Sequence, residues 1–482
     1  MKLKRVLKAG AGIVATSAAL GGVLYLLGVR IVLDGGGGLH VAVVKSPEKR
    51  AEELAKHREA QRAQPTETDA TPALPSATAA EEGSPPAPKN AMSSYWTNFR
   101  GPQRDGHYRQ QPIRTEWPKT GLKPLWKQPV GGGYASFVVA GGRAFTIEQR
   151  GRQEVAAAYN LETGRELWTN SWGALFQEPM GGDGPRATPT WHDGRLFVLG
   201  AAGELRVFDA ATGRMHWRTN ILDDAGAGNI QWGMSAAPLI VGTTVVVLPG
   251  GPRGNSIAAY DIGSGRRAWG ALDDHASYSS PMLVTLDGVP QILTFTAARL
   301  VALSPNGSEL LWEFPWTTQY DVNASQPLVI GANRVFISTG YGAGAALLEL
   351  SRDANQRFAV REVWRTNRMK NQFTSSVLHE GFIYGLDESI LACVDATTGE
   401  LKWKGGRYGY GQVMLASGHL IVLTEQGELA LVRADPGSHQ ELARFPAIEG
   451  KTWNHPAMSD GILLIRNINE MAAFDLRVQG TK

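Results

Sequence analysis

The stretch that decides the fold is Val207–Trp217, which reads VFDAATGRMHW. Four other stretches repeat its pattern: a small or apolar residue, a polar turn that contains Gly or a Gly-Ser variant, and a Trp ten residues after the first position. They are AYNLETGRELW (158–168), AYDIGSGRRAW (259–269), ALSPNGSELLW (302–312) and CVDATTGELKW (393–403). A repeat of about 45 residues with an aromatic at a fixed place is typical of a propeller or another repeat array. Most of the chain is therefore architectural.

The second repeat predicts four short strands. They lie at residues 187–192, 195–200 and 205–209, and in the segment that carries Trp217. Asp-Gly, Ala-Gly and Thr-Gly turns separate them, as in consecutive β-hairpins. Four such strands make one propeller blade.

The aromatics that end the repeats give the number of blades. They are Trp126, Trp168, Trp217, Trp269, Trp312, Trp364, Trp403 and Phe445. Seven complete blades lie between them. Residues 451–476 have only three strands, whereas residues 123–128 form a lone fourth strand. Joining the two closes an eighth blade and leaves no large open edge. We therefore predict an all-β, eight-bladed propeller of four-stranded blades, whose last blade is closed by an N-terminal strand.

Each position of the motif has a predicted structural role. The Gly takes a positive φ in the turn before the fourth strand, and the Asp or Asn four residues earlier hydrogen-bonds the turn backbone. The Trp packs between neighbouring blades, where its large apolar surface is buried. These Trp residues are expected to stabilise the fold rather than to stack on a ligand.

The N-terminal region predicts a membrane anchor and a spacer. Residues 1–8 are a basic cytoplasmic flank, and residues 9–29 are an uncharged run long enough to cross a bilayer. A cleaved signal peptide is the competing interpretation. Residues 30–93 read as a flexible Pro/Ala-rich spacer, with a flexible break at Gly35–Gly38 and a solvated helix at 46–64 that packs on nothing. The propeller, residues 94–478, is expected in the periplasm beside the inner membrane.

Charge and cysteine content exclude some functions. The net charge is +3, and the excess comes entirely from residues 1–93, because residues 94–482 carry equal numbers of acidic and basic groups. A neutral propeller gives no electrostatic reason to bind nucleic acid. The single cysteine, Cys393, excludes an intrachain disulfide and a Cys-x-x-Cys motif, and we expect it to be a small buried residue. A monomer is expected.

The repeat A-x-D-x-x-T-G-x-x-x-W resembles the tryptophan-docking repeat of the pyrroloquinoline-quinone (PQQ) propeller family, over residues 95–476. The opening NFRGP (98–102) is similar to the lead-in of PQQ-like propellers from bacterial genomes. The resemblance implies an eight-bladed, exported protein. The family includes quinoprotein alcohol dehydrogenases, which bind PQQ and calcium, and the non-catalytic assembly factor BamB.

The resemblance to the dehydrogenases is incomplete. They typically stack PQQ on a ring formed by two adjacent bonded cysteines, which a chain with one cysteine cannot make. No calcium-ligand motif matches residue by residue. The chain also departs from BamB, because no lipid-bearing cysteine is present and a membrane span and long spacer stand there instead.

The residues just before each innermost strand are expected to line the mouth of the central channel. The polar and aromatic ones form the predicted ligand site: Arg186, Trp232, Tyr278, Asp321, Asn323, Lys370, Gln372, Tyr410, Trp453, Asn454 and His455. Such a set suits a small molecule or a peptide. The alternative is a polar, water-filled funnel without a ligand.

Two of these residues are candidates for chemistry. His455 could act as a general base, and Asp321 as a base or a cation ligand. The pairs Asp223-Asp224 and Asp273-Asp274 lack the spacing of a calcium loop and are expected to be solvated turn acids. No catalytic residue and no metal ligand is assigned.

The sequence therefore favours a membrane-anchored, exported propeller that binds a protein partner as a scaffold. The alternative is a PQQ-dependent oxidoreductase with PQQ and calcium in the mouth. A hydrolase that uses His455 and the acids of the funnel has slight support.

Overall fold

Eight sheets surround a common channel in the computed structural model, which describes residues 28–43, 45–63, 93–178 and 181–478. Seven of them have four antiparallel strands, and one has a fifth strand that is parallel to its neighbour. The N-terminal part has a hairpin of β1 (Val29–Leu33) and β2 (Leu39–Val43), and then a helix, Pro47–Ala63. Two strands precede the first complete blade: β3 (His107–Tyr108) and β4 (Pro124–Pro129).

The first four blades follow in chain order, each running from the channel outward. Blade 1 has β5 (Val138–Ala140), β6 (Arg143–Arg150), β7 (Gln153–Asn160) and β8 (Glu166–Gly173). Blade 2 has β9 (Thr190–His192), β10 (Arg195–Leu199), β11 (Glu204–Asp209) and β12 (Met215–Asn220). Blade 3 has β13 (Leu239–Val241), β14 (Thr244–Val247), β15 (Ile257–Asp261) and β16 (Arg267–Ala271). Blade 4 has β17 (Met282–Leu286), β18 (Val289–Phe295), β19 (Arg299–Leu303) and β20 (Leu310–Pro315).

The other four blades complete the ring. Blade 5 has β21 (Leu328–Ile330), β22 (Arg334–Thr339), β23 (Gly344–Arg352) and β24 (Phe358–Thr366). Blade 6 has β25 (Val377–His379), β26 (Phe382–Asp387), β27 (Ile390–Asp395) and β28 (Leu401–Arg407). Blade 7 has β29 (Gln412–Ala416), β30 (His419–Leu423), β31 (Glu428–Arg433) and β32 (Glu441–Pro446), and β3 adds to it by pairing parallel with β29. Blade 8 has β33 (Ala457–Ser459), β34 (Ile462–Arg466), β35 (Glu470–Asp475) and β4. Short helices, Ile221–Ala225 and Gln319–Asp321, lie in linkers.

The eighth blade closes as predicted. Strand β4 pairs antiparallel with β35, and Trp126 lies opposite Ala473. The indole Nε1 of Trp126 donates to the carbonyl oxygen of Leu161 in blade 1 at 3.0 Å. The N-terminal strand therefore completes the last sheet and also bonds to the first one.

The recurring spacing of Trp and Gly along the chain has the predicted structural basis. Trp168 and Trp217 each donate Nε1 to a carbonyl oxygen of the next blade at 3.0 Å, Ala210 and Ile262 respectively. Gly213 has a φ of 73°. The Asp209 carboxylate accepts from the Thr212 N–H at 2.8 Å. The expected roles of the Gly and the Asp and the contact of the Trp with the next blade are confirmed, while the rings of Trp168 and Trp217 are only partly buried.

Cys393 is fully buried in blade 6. Burial raises the pKa of its thiol to about 12. The expectation of a small buried residue is confirmed.

Two buried arginines bond to backbone carbonyls that lie just before the innermost strands of three blades. Arg100 donates to the carbonyl oxygens of Ser375 and Ser376 at 3.0 and 2.7 Å. Arg104 donates to those of Ala237 and Pro281 at 3.2 and 3.0 Å. Burial lowers their pKa values to about 10 and about 9. The segment 98–104, which begins with NFRGP, thus ties blades 3, 4 and 6 together.

The N-terminal helix packs on the propeller, so the expectation that it packs on nothing is wrong. Leu54 and Arg58 are buried. Arg58 Nε lies 3.2 Å from Glu166 of blade 1, and its Nη1 donates to Gln128 of β4 at 3.0 Å. The helix docks largely through the buried side chain of Arg58. The pattern of apolar residues, from which helix packing is usually predicted, does not indicate such a contact.

The predicted membrane anchor, residues 9–29, lies outside the described residues except for Gly28 and Val29, and Val29 begins β1. Within the described ranges, no helix is both long and apolar enough to cross a bilayer. The anchor stays a prediction.

Candidate ligand site at the mouth of the channel

The mouth is the end of the channel at which the innermost strands begin. Because every blade starts there, the linkers from one blade to the next converge on this end. Four linkers bring together aromatic rings from Tyr134, Phe373, Tyr410 and Trp453. Ring centroids lie 4.6 Å apart for Phe373 and Trp453, 5.2 Å for Tyr134 and Trp453, and 5.8 Å for Phe373 and Tyr410.

A buried carboxylate lies beside these rings. Glu425, in the turn between β30 and β31, is 4 % exposed. Its Oε1 accepts from Trp453 Nε1 at 2.9 Å, and its Oε2 accepts from the Tyr410 backbone N–H at 3.1 Å. Lys451 Nζ lies 4.0 Å from the Trp453 ring centroid, and burial lowers the pKa of this amine to about 8. We call Tyr134, Phe373, Tyr410, Trp453 and Glu425 the mouth cluster.

The N-terminal hairpin reaches the mouth cluster through its turn, Asp34–Gly38, which we call the glycine loop. The Gly35 N–H donates to Glu425 Oε1 at 2.8 Å. Gln372 Nε2 donates to the Gly35 carbonyl oxygen at 2.7 Å. The segment that the sequence predicted to be a flexible break is therefore held at both backbone groups of one residue.

A second group of predicted site residues lies across the mouth. The rings of Trp232 and Tyr278 are 5.6 Å apart, and the Trp232 N–H donates to the Tyr278 hydroxyl at 3.4 Å. Burial raises the pKa of Tyr278 to about 12. The Arg186 guanidinium lies 4.5 Å from the Phe176 ring centroid and 5.6 Å from that of Tyr134. Burial lowers the Arg186 pKa.

Three other predicted residues turn inward rather than toward the mouth. Asn323 and Asn454 are fully buried, and their amide nitrogens donate to backbone carbonyls, among them Thr296 and Ala135 at 3.0 and 2.9 Å. His455 is also buried, with its ring nitrogens 2.6 and 3.2 Å from the carbonyl oxygens of Pro456 and Val413. Burial lowers its pKa to about 3. These side chains hold linkers in place.

The remaining two predicted site residues, Asp321 and Lys370, lie at the rim of the mouth. Asp321 is exposed, with a φ of 59° in the short helix Gln319–Asp321. The Lys370 amine lies 2.8 Å from Glu388 and 3.8 Å from Asp387. The lysine is thus paired with acids of its own blade.

The acidic pairs in the loops are engaged by neighbouring side chains. Asp224 accepts from Tyr260 and Arg267 at 2.7 and 2.9 Å, and Asp274 pairs with Arg299 at 2.7 Å. Across the residues that the structure describes, no group of three His, Cys, Asp or Glu side chains is placed to hold a metal ion.

The residues of the mouth do not fit a PQQ–calcium centre. Gly35 packs against the rings of Phe373 and Tyr410, so a planar cofactor stacked on that side would have to displace the glycine loop. Both oxygens of Glu425 already accept from N–H groups, whereas calcium requires six or more oxygen ligands. Nothing in this donor set supplies them.

Glu425 and the glycine loop were not among the residues predicted from the sequence. Glu425 lies in a turn within a blade, not in a linker between blades. A search of the turns on the mouth side of the second and third strands would have included it.

Comparisons with known proteins agree with this architecture. The family model described as "Outer membrane protein assembly factor BamB" matches residues 151–405, more than half of the chain. No curated protein matches the sequence. Among solved structures, BamB from Moraxella catarrhalis is similar, with a TM-score of 0.51 and 14 % identity over 75 % of this chain and 99 % of that one.

Two other solved structures share the fold. Quinohemoprotein alcohol dehydrogenase from Comamonas testosteroni has a TM-score of 0.56 and 13 % identity over 91 % of this chain and 86 % of that one. The computationally designed Ika8 protein has a TM-score of 0.50 and 9 % identity over 76 % and 100 %. Identities this low show the fold alone.

Proposed function

Because this chain belongs to the family of the outer membrane protein assembly factor BamB, we propose that it is a protein-interaction scaffold of the cell envelope. The observation that carries the proposal is that the mouth holds a peptide segment. Glu425 and Gln372 bond to the backbone N–H and C=O of Gly35, as a peptide-binding surface does.

The proposal includes the location of the protein. The basic flank 1–8 and the apolar run 9–29 would anchor the chain in the inner membrane, with the propeller on the periplasmic side. The helix Pro47–Ala63 and the glycine loop would then lie between the bilayer and the propeller. A cleaved signal peptide would instead release the chain into the periplasm.

The alternative, a PQQ-dependent oxidoreductase, has less support. The fold likeness to a quinohemoprotein alcohol dehydrogenase carries no argument about chemistry at 13 % identity. The mouth cluster lacks the oxygen ligands for calcium, and the single cysteine is buried in blade 6. A scaffold role requires neither group.

Site-specific photo-crosslinking on the full-length protein in membranes tests the scaffold role. A photoreactive residue at Tyr320, which is 64 % exposed at the mouth rim, should yield an adduct with a discrete envelope protein. A photoreactive residue at Leu442, 44 % exposed on the outer strand β32, is the matched control. Equal labelling from both positions, or no adduct from Tyr320, would contradict the proposal.

Addition of PQQ with calcium tests the alternative. A ligand that binds the native state must raise its melting temperature. We expect no shift and no dye-linked alcohol oxidation. A shift together with oxidation would establish the enzyme instead.

A further inference from the structure

We infer that the mouth cluster, together with Gln372, is a binding site for a glycine–glycine turn and that Gly35–Gly36 of the same chain is its resident ligand. The inference rests on the proposed function in one respect, namely that a partner at the mouth must compete with this loop. The site itself follows from contacts in the structure.

The site binds its ligand through hydrogen bonds to the ligand's backbone. The Gly35 N–H meets a buried carboxylate oxygen of Glu425 at 2.8 Å, and the Gly35 carbonyl accepts from Gln372 at 2.7 Å. A hydrogen bond from a backbone N–H to an ionised group is stronger than one between neutral groups. Because Glu425 also accepts from Trp453 Nε1 and from the Tyr410 N–H, its position is fixed before the loop arrives.

The site excludes side chains at two consecutive positions. A Cβ atom on Gly35 would lie 2.6 Å from Tyr410 Cβ and 2.7 Å from Phe373 Cζ. A Cβ atom on Gly36 would lie 2.5 Å from Tyr410 Oη. Contacts between carbon atoms are optimal near 3.5–4.0 Å, so any residue larger than glycine must displace the rings. The next residue, Gly37, has open space around its Cβ position, which places the selectivity at Gly35 and Gly36.

The loop is shaped for this fit by its own aspartate. One carboxylate oxygen of Asp34 accepts from the N–H groups of Gly36 and Gly38 at 2.9 and 2.6 Å. The Asp34 N–H donates to the Gly38 carbonyl at 3.0 Å, and so closes the hairpin. An Asp side chain that bonds the backbone two residues on stabilises a turn. The ligand is thus preorganised, which lowers the entropic cost of binding.

The segment that follows the loop also holds it near the mouth. Arg50 of the N-terminal helix lies 3.1 Å from Asp183, whose linker borders Tyr134, and Arg58 lies 3.2 Å from Glu166. A tethered ligand has an effective concentration on the order of millimolar. A partner that uses the mouth cluster must therefore bind more tightly than the site alone would require, or must displace the helix as well.

Hydrogen exchange on the full-length protein tests this inference. In the wild-type protein, the amides of Gly35 and of residues 408–412 should be protected. Gly35→Val should abolish protection at residues 34–38 and increase exchange at 408–412 at least tenfold. The control Gly37→Asn places a side chain in open space at a φ of 81°, which Asn tolerates better than other non-glycine residues, and should retain the protection.

Binding in trans gives the second readout. A synthetic peptide VLDGGGGLH, the sequence of residues 32–40, should bind the Gly35→Val protein at least tenfold more tightly than the wild-type protein, whose site is occupied. The peptide VLDGVGGLH should not bind either protein. Gly36→Ala is a second variant that empties the site by a smaller change. An unchanged melting temperature of the propeller shows that both variants fold.

The inference would be overturned if Gly35→Val and Gly36→Ala left hydrogen exchange unchanged. It would also be overturned if the wild-type and Gly35→Val proteins bound the peptide VLDGGGGLH with equal affinity. The scaffold role would survive that result, because crosslinking from Tyr320 measures partner binding directly. Conversely, if Tyr320 gave no crosslink while the glycine-loop amides stayed protected from exchange, the scaffold role would be contradicted and the glycine site would stand.

Discussion

The indole of Trp168 in blade 1 lies directly against Gly213 in blade 2, where a Cβ atom would come within 2.6 Å of Trp168 Cδ2. The same pairing joins Trp126 to Gly164, Trp217 to Gly265, Trp269 to Gly307 and Trp364 to Gly399. The Gly and the Trp of one repeat therefore serve different contacts: the Trp packs on the next blade, and the Gly receives the Trp of the preceding one. The motif couples blades around the ring.

Because of this contact between blades, we predict that Gly213→Ala strongly destabilises the fold. The substitution both places alanine at a φ of 73° and drives its Cβ into Trp168. The control Gly242→Ala also has a positive φ, 57°, but its Cβ would meet no atom within 4 Å. We expect Gly213→Ala to lower the free energy of unfolding by about 1–3 kcal/mol more than the control does, the usual cost of overpacking. Urea denaturation measures both; equal midpoints would show that only the backbone matters.

The blade count and the closure of the ring could be predicted from the sequence because every repeat ends in an aromatic residue, seven times a Trp and once Phe445, and five of them also carry the turn motif. The contact from Trp168 to Gly213 could not, since it joins residues 45 positions apart in different repeats. The sequence shows that both residues recur, but not which copy meets which. Only the ring geometry settles that.

The mouth was predicted less completely, for a physical reason. Position in the chain placed all eleven residues at the start of the innermost strands, but the direction of a side chain depends on what it can bond. Asn323, Asn454 and His455 turn toward backbone carbonyls that would otherwise be buried without donors. Glu425 enters from a turn within blade 7, which spacing alone does not bring to the mouth.

A second effect on stability is predicted at the buried side chain of Arg104. Its guanidinium donates to the carbonyl oxygens of Ala237 and Pro281, and no carboxylate shares the site. Arg104→Met would leave buried acceptors without a donor, which costs about 1–3 kcal/mol each. Arg109→Met, a change at a side chain that is 44 % exposed, is the control and should alter stability by about 0.5 kcal/mol or less. Similar thermal denaturation curves for the two variants would argue against a structural role for Arg104.

The burial of the His455 imidazole leads us to predict that the stability of the protein depends on pH. Burial lowers its pKa from 6.5 to about 3, so the folded protein keeps it neutral while the unfolded chain protonates it below pH 6.5. Its contribution to stability is therefore full above pH 6.5 and is lost as the pH falls toward 3. Between pH 7 and pH 5, the free energy of unfolding of the wild-type protein should fall by about 2 kcal/mol more than that of His455→Gln. Parallel pH profiles for the two proteins would contradict this assignment.

We predict that Arg58 holds the N-terminal helix on the propeller. Its guanidinium is buried against Glu166, Gln128 and the Tyr159 ring, the last at 5.0 Å from the centroid. Arg58→Met removes the charge and the hydrogen bonds but keeps much of the length, and Glu166 retains its ion pair with Arg150 at 2.6 Å. We therefore expect the helix Pro47–Ala63 to exchange its amides at least tenfold faster, while the propeller keeps its melting temperature. Arg62→Met, on the exposed side of the same helix, should leave exchange unchanged. If both variants behaved alike, the helix would be held by Leu54 and by the glycine loop rather than by Arg58, because those contacts are common to both.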